Sequence, residues 1–80
     1  MDYFLGLIML MPYNFAPMDW TFCNGQILPI RENTALYSLI GNTYGGDGVT
    51  TFALPNLQGA EPIPNMHYCI CLAGIYPTRD

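Results

Sequence analysis

The sequence predicts an α+β fold: a small antiparallel sheet with one short helix and long ordered glycine- and proline-rich loops, completed by neighbouring subunits. Three observations predict it. Apolar runs of strand length are separated by turn residues, whereas one window alone, residues 33–41, carries helical spacing. Eight glycines and seven prolines in 80 residues interrupt the chain too often for longer elements. Finally, 51% of the residues are hydrophobic and 10% are charged, against about 25% charged in an average globular domain, so the usual charged surface cannot be built. A domain of this length buries only about 60% of its unfolded surface, which asks neighbouring chains to cover part of the apolar exterior. One domain, 1–80, accounts for the whole length.

Tyr3 to Met11 is nearly continuous in apolar character and reads as a strand covered on both faces, ended by Pro12. Asn14 to Asp19 carries turn chemistry. Trp20 to Cys23 alternates bulky and smaller residues and reads as a second strand, and Asn24-Gly25 is the strongest short hairpin signal, a type I′ turn with Gln26 to Leu28 returning before Pro29. Asn33 is a suitable N-cap, Leu36, Leu39 and Ile40 share a face at helical spacing, and Gly41 stands where a left-handed C-cap belongs, so a helix is expected over 33–41. Trp20, Phe52 and Leu54 are expected to pack with that helix into a small core. From Asn42 to Asn65 the pattern is irregular, with glycines at Gly45, Gly46 and Gly48, yet Phe52, Leu54, Leu57 and Ile63 anchor it as ordered loop. His67 to Tyr76 reads as the last strand. Tyr68, Ile70, Leu72 and Tyr76 fall on one face, and His67, Cys69, Cys71, Ala73 and Ile75 on the other.

Several function classes are disfavoured. A formal net charge of −4, with Arg31 and Arg79 as the only bases, leaves nothing to neutralise several phosphates and argues against nucleic acid. No apolar run approaches the roughly 20 residues of a membrane span. The Tyr3–Met11 run lacks a preceding positive charge and a following small-residue cleavage site, so it reads as mature structure rather than a signal peptide. One histidine, scattered acids and no nucleophile with an evident base argue against an enzyme, and no cofactor or metal is expected. His67 reads as a partly exposed strand residue; ligation of a metal would need help from other chains. Gly45-Gly46-Asp47-Gly48 lacks the spacing of a phosphate loop, its glycines suit positive φ instead, and Asp47 alone is too few oxygens for calcium. Cys23, Cys69 and Cys71 leave two readings open, buried free thiols or an intersubunit disulfide, since an odd number cannot pair fully within one chain. The aromatic residues serve a core and interfaces or, alternatively, a sugar-stacking platform.

Residues 13–59 resemble the phage tail collar domain family, to which tail-fibre and microcystin-dependent proteins belong. The resemblance rests on Asn14-Phe15-Ala16-Pro17 followed by Trp20, on Phe22-Cys23-Asn24-Gly25-Gln26 and on Leu28-Pro29-Ile30. It continues through Asn33-Thr34-Ala35-Leu36-Tyr37-Ser38-Leu39-Ile40-Gly41, then Thr43-Tyr44-Gly45-Gly46-Asp47-Gly48, then Thr51-Phe52-Ala53-Leu54-Pro55-Asn56-Leu57. Phe4-Leu5-Gly6 and the segment from Tyr68 to Arg79 are similar to the opening and closing strands of longer members. Two departures matter. The large variable section before the closing strand has shrunk to about Ala60–Met66, so no receptor-binding head or histidine-based metal site carries over. Leu7, Ile8, Met9 and Leu10 replace the usual polar residues after the opening glycine, which points to burial between subunits.

The resemblance implies a structural component of tail fibres or related injection devices, commonly trimeric and without catalytic activity. The expected function is therefore a minimal collar-type module that assembles with copies of itself through Tyr3–Met11 and the 67–76 strand, into a trimer or an extended extracellular fibre. Other tail or appendage proteins are expected partners, and the expected location is extracellular or on a virion. Two alternatives stand beside it. One is a receptor- or glycan-binding tip using aromatics near Tyr44 and the glycine loop; the other is a reduced family member without autonomous function.

Overall fold

Residues 3–78 are described by a computed structural model. The described elements are β1 (Ile8–Met11), β2 (Trp20–Phe22), β3 (Ile27–Pro29), a 3₁₀ turn (Ile30–Glu32), α1 (Thr34–Ile40), β4 (Thr51–Ala53) and β5 (His67–Cys71). β5 lies between β1 and β2 in an antiparallel sheet of order β1-β5-β2, and β3 pairs antiparallel with β4 in a second sheet. The α+β class with antiparallel sheets and one short helix is as the sequence predicts.

Opposed residues of a ladder share a face. Ile8, Ile70 and Thr21 therefore point to one side of the larger sheet, and Met9, Cys69 and Phe22 to the other. Both sides are covered at β5, where Cys69, Ile70 and Cys71 are all buried. On one side Ile70 joins Leu5, Cys23, Leu36, Phe52 and Leu54 in the core, with Leu39 and Ile40 packed against it. The predicted helix face is thus the buried one, and full burial of a side chain such as Leu36 is worth about 1.5–3 kcal/mol. The Tyr37 and Phe52 rings meet at 5.4 Å between centroids, joining α1 to the second sheet.

Several expectations need correction, among them Ile63 as an anchor, since its side chain is exposed. Trp20 is only half-buried and lies outside the core; its ring meets Tyr3 edge-on at 5.4 Å. The strand expected over Tyr3–Met11 forms only at Ile8–Met11, because a turn closes first: Leu7 N–H donates to the Phe4 carbonyl at 3.2 Å, with Gly6 at φ +85° in the third position. Gly6 N–H then bonds the Cys71 carbonyl while Cys71 N–H bonds that of Leu7, so two residues face one in a glycine bulge. This strand is not covered on both faces; that place belongs to β5.

The last strand stops at Cys71 rather than Tyr76. Leu72 N–H goes to the Asp19 carbonyl, and the chain bends so that Ile75 pairs with Tyr3 and bridges Phe4. The hairpin expected at Asn24-Gly25 is absent, for β2 pairs with β5 and β3 with β4. Gly25 has φ +80° but Asn24 is not at positive φ, so the type I′ turn is not formed. The segment instead lies along residues 54–57, through Leu57 N–H to the Cys23 carbonyl at 2.8 Å, Leu54 N–H to that of Gln26 at 3.0 Å and Gly25 N–H to that of buried Pro55 at 3.3 Å. Those bonds between distant segments outweigh a local turn preference. Finally, Asn33 occupies the N-cap position without capping: its side-chain amide donates to the Pro29 carbonyl at 3.0 Å, bracing the 3₁₀ turn instead. Gly41 is at the C-cap with φ +62°, although its ψ of −155° is not that of a left-handed helix.

Candidate interaction site

Every sheet edge offers backbone donors and acceptors that must be paired, covered or left to a partner. In the second sheet, Leu54 N–H to Gln26 and Ile30 N–H to Thr50 fix the alternation, so Thr51 and Ala53 aim their backbone groups away from β3. The glycine loop takes them. Gly48 N–H donates to the Thr51 carbonyl at 2.9 Å, and Ala53 N–H to the Gly45 carbonyl at 3.0 Å. Gly46, at φ +88°, lies so close to β4 that a Cβ on it would stand 2.4 Å from the Phe52 Cα.

Asp47 locks this loop. Its carboxylate accepts from the N–H groups of Val49, Thr50 and Thr51 at 2.8, 2.8 and 2.9 Å, and from the Thr50 hydroxyl at 2.8 Å. These bonds to the ionised form, that from Thr51 foremost, hold its carboxyl well below the usual carboxylate range. Tyr37 ties the loop to α1 by donating its hydroxyl proton to the Gly48 carbonyl at 3.1 Å. Tyr44 stands at the start of the loop with its ring exposed. The loop is therefore an edge cover, and its acid is spent on its own backbone.

The larger sheet has two outer strands, and they differ. On β2, Trp20 N–H donates to the Pro17 carbonyl at 3.0 Å, while the Gln26 side-chain amide reaches the Thr21 hydroxyl at 2.8 Å and the Phe22 carbonyl at 3.4 Å. On β1, the bonds between Leu7 and Cys71 set the alternation, so Met9 faces β5 and the backbone groups of Ile8 and Leu10 face outward. No described residue covers them. Around this edge Phe4, Leu7, Ile8 and Met9 are 56, 37, 36 and 37% exposed, with no charged side chain among them. Beside it lies a groove of about 280 Å³ walled by Tyr3, Met11, Tyr13, Pro17 and Trp20.

The three cysteines are free and buried. Burial first, and neighbouring Cys69 second, push the Cys23 thiol up to about 11; burial raises Cys69 as well. Such thiols stay protonated near neutral pH and react slowly. Cys69 and Cys71 share a strand face, as expected, but that face is covered rather than presented to a neighbour. Among the described residues, no three His, Cys, Asp or Glu side chains gather where a metal could sit. No helix there is long and apolar enough to cross a membrane.

The structure thus brings Leu36, Phe52 and Leu54 together in the core, and Gly45, Gly46, Asp47 and Gly48 on the β4 edge. It leaves Trp20 apart from both, and Tyr44 beside the loop with its ring exposed. The apolar run after Gly6 was legible as sticky sequence, whereas its being an edge was not, because that depends on which strand β5 sits beside. A family model described as the Phage Tail Collar Domain matches residues 6–62. The matched stretch supplies β1 to β4 and α1, with β5 beyond it. No curated protein and no solved structure matches the chain.

Proposed function

The chain belongs to the phage tail collar domain family, and from that premise we propose that it is a non-enzymatic structural module that assembles with copies of itself, as a trimer or an extended fibre, outside the cell or on a virion. The observation that carries this reading is the β1 edge: past its glycine bulge, Ile8–Met11 is apolar on both faces and carries no lysine, proline or inward charge to keep another strand from pairing with it. A strand of another chain added there would satisfy Ile8 and Leu10 and cover the exposed side chains. Pairing β1 with β1 of a second copy closes a two-fold dimer; pairing it with a different surface repeats into a ring or a fibre. Other tail or appendage proteins are partners of the same kind.

The test compares the wild-type protein with Ile8→Pro, by light scattering and negative-stain electron microscopy, with and without reductant. Proline at this position removes an outward donor and no bond to β5. Assemblies in the wild type, monomer in the variant with an unchanged circular dichroism spectrum, and indifference to reductant are expected. A dilute, stable wild-type monomer, or unaltered assembly in the variant, overturns the proposal.

A further inference from the structure

We propose that the cleft beside β2 and the start of β5 binds a neutral, hydroxyl-rich ligand, a saccharide unit, independently of assembly through β1. The cleft measures about 290 Å³, close to the lower end of small-ligand sites at about 300 Å³, which suits one sugar ring. Phe22 and His67 build its apolar wall, their rings 5.4 Å apart and tilted by 58°, and such a wall meets the C–H face of a pyranose. Around it converge the polar side chains that hydroxyl recognition needs, acceptors and donors in alternation.

Two of these side chains are oriented in advance. Glu61 accepts the Gly59 N–H through Oε1 at 2.8 Å, which leaves Oε2 for a ligand. Asn24 accepts the Gln26 N–H through Oδ1 at 3.2 Å, which leaves its NH₂ group. Gln58, held at its backbone by Asn56 Oδ1 at 3.1 Å, brings a second amide, and Asn14 a third. The free Glu61 Oε2, the Asn24 NH₂ group and the two further amides offer acceptors and donors to neighbouring hydroxyls, which distinguishes a sugar from a lipid or an apolar peptide.

The charge of the lining narrows the class. Glu61 is its one carboxylate, and neither arginine nor lysine lines the cleft, so phosphorylated or carboxylated sugars are disfavoured. A divalent cation is disfavoured too, because among the described residues no three His, Cys, Asp or Glu side chains gather where one could be held. None of the lining residues belongs to β1, so strand addition at that edge does not fill the cleft.

Saturation-transfer difference NMR reads ligand protons whatever the size of the assembly. Methyl glucoside, N-acetylglucosamine and glucuronate are the probes, on the assembled wild-type protein and on Gln58→Ala, His67→Phe and Tyr44→Ala. Saturation of a neutral sugar is expected, with little for glucuronate. Affinity should fall about tenfold in Gln58→Ala and in His67→Phe, each of which removes hydrogen-bonding groups, and should be unchanged in Tyr44→Ala. His67→Phe keeps the ring that lies against Phe22, and exposed Gln58 lies outside the core, so melting curves near that of the wild type accompany both losses. Silence from both neutral sugars overturns the proposal, as does glucuronate binding equally well. So does retention of binding in both cleft variants, or loss in Tyr44→Ala, which would move the site to the glycine loop.

Discussion

β4 and β1 are both outer strands, of three and four residues, and the chain treats them in opposite ways. On β4 the outward groups of Thr51 and Ala53 are consumed by the Gly45–Gly48 loop, which Asp47 braces with four hydrogen bonds. On β1 the outward groups of Ile8 and Leu10 meet no described residue, and the side chains around them are exposed and uncharged. One edge is thus sealed by a glycine cluster and a structural acid, while another is left bare and apolar. Directional assembly needs both halves of that contrast. An open β4 edge would offer a second, competing way to stick.

The contrast can be broken most severely at Gly46. Gly46→Ala places a Cβ against the Phe52 backbone at a φ of +88°, so the loop must lift from β4. The strain and overpacking together should cost about 2 to 6 kcal/mol, read from the urea midpoint, with aggregation through the uncovered edge. An unchanged midpoint would mean that the loop does not seal the strand.

Asp47→Asn is the milder version, since an amide accepts the same N–H bonds without charge. Its effect should also follow pH. The folded carboxyl is held below its unfolded value, so its contribution is present above the usual carboxylate range near pH 4 and is lost as pH falls towards the folded value. Acid titration of stability should therefore show a loss below about pH 4 that Asp47→Asn lacks. Identical acid profiles would show that the bonds do not depend on the charge.

Gln26→Ala sharpens the comparison at the other side of the larger sheet. It removes the cover of the Phe22 carbonyl and should cost about 1 kcal/mol by thermal melting. Some association that survives Ile8→Pro is expected in the double variant, because β2 then presents an edge too. Strictly monomeric behaviour would assign the protection of β2 to the Trp20–Pro17 bond alone.

Much of the local architecture could be read in advance, and the exceptions share a cause. The helix face of Leu36, Leu39 and Ile40 follows from a 3.6-residue period, which is local. Phe52 and Leu54 as core, and the glycine cluster as positive-φ backbone rather than a phosphate cradle, follow from residue type. Asn24-Gly25 misleads because residues 54–57, thirty positions away, capture the backbone groups that a two-residue turn would have used. Asn33 misleads because the Pro29 carbonyl outcompetes the helix terminus for its side chain. The cleft is not legible in the sequence because Asn14, Asn24, Gln58, Glu61 and His67 are spread along the chain and form no motif.

The placement of β5 governs the order of events when the protein is made. Residues 67–71 lie between strands formed by residues 8–11 and 20–22, so the larger sheet is joined wholly by pairings distant in sequence, the kind that closes slowly. Before β5 arrives, β1 and β2 each have two bare sides and the buried thiols have no cover. Insertion of β5 removes one side from each, and on the outer side of β2 Pro17 takes the Trp20 N–H while Gln26 takes the Phe22 carbonyl. Until residues 67–71 are in place, therefore, the apolar Ile8–Met11 segment has no fixed outer edge at all.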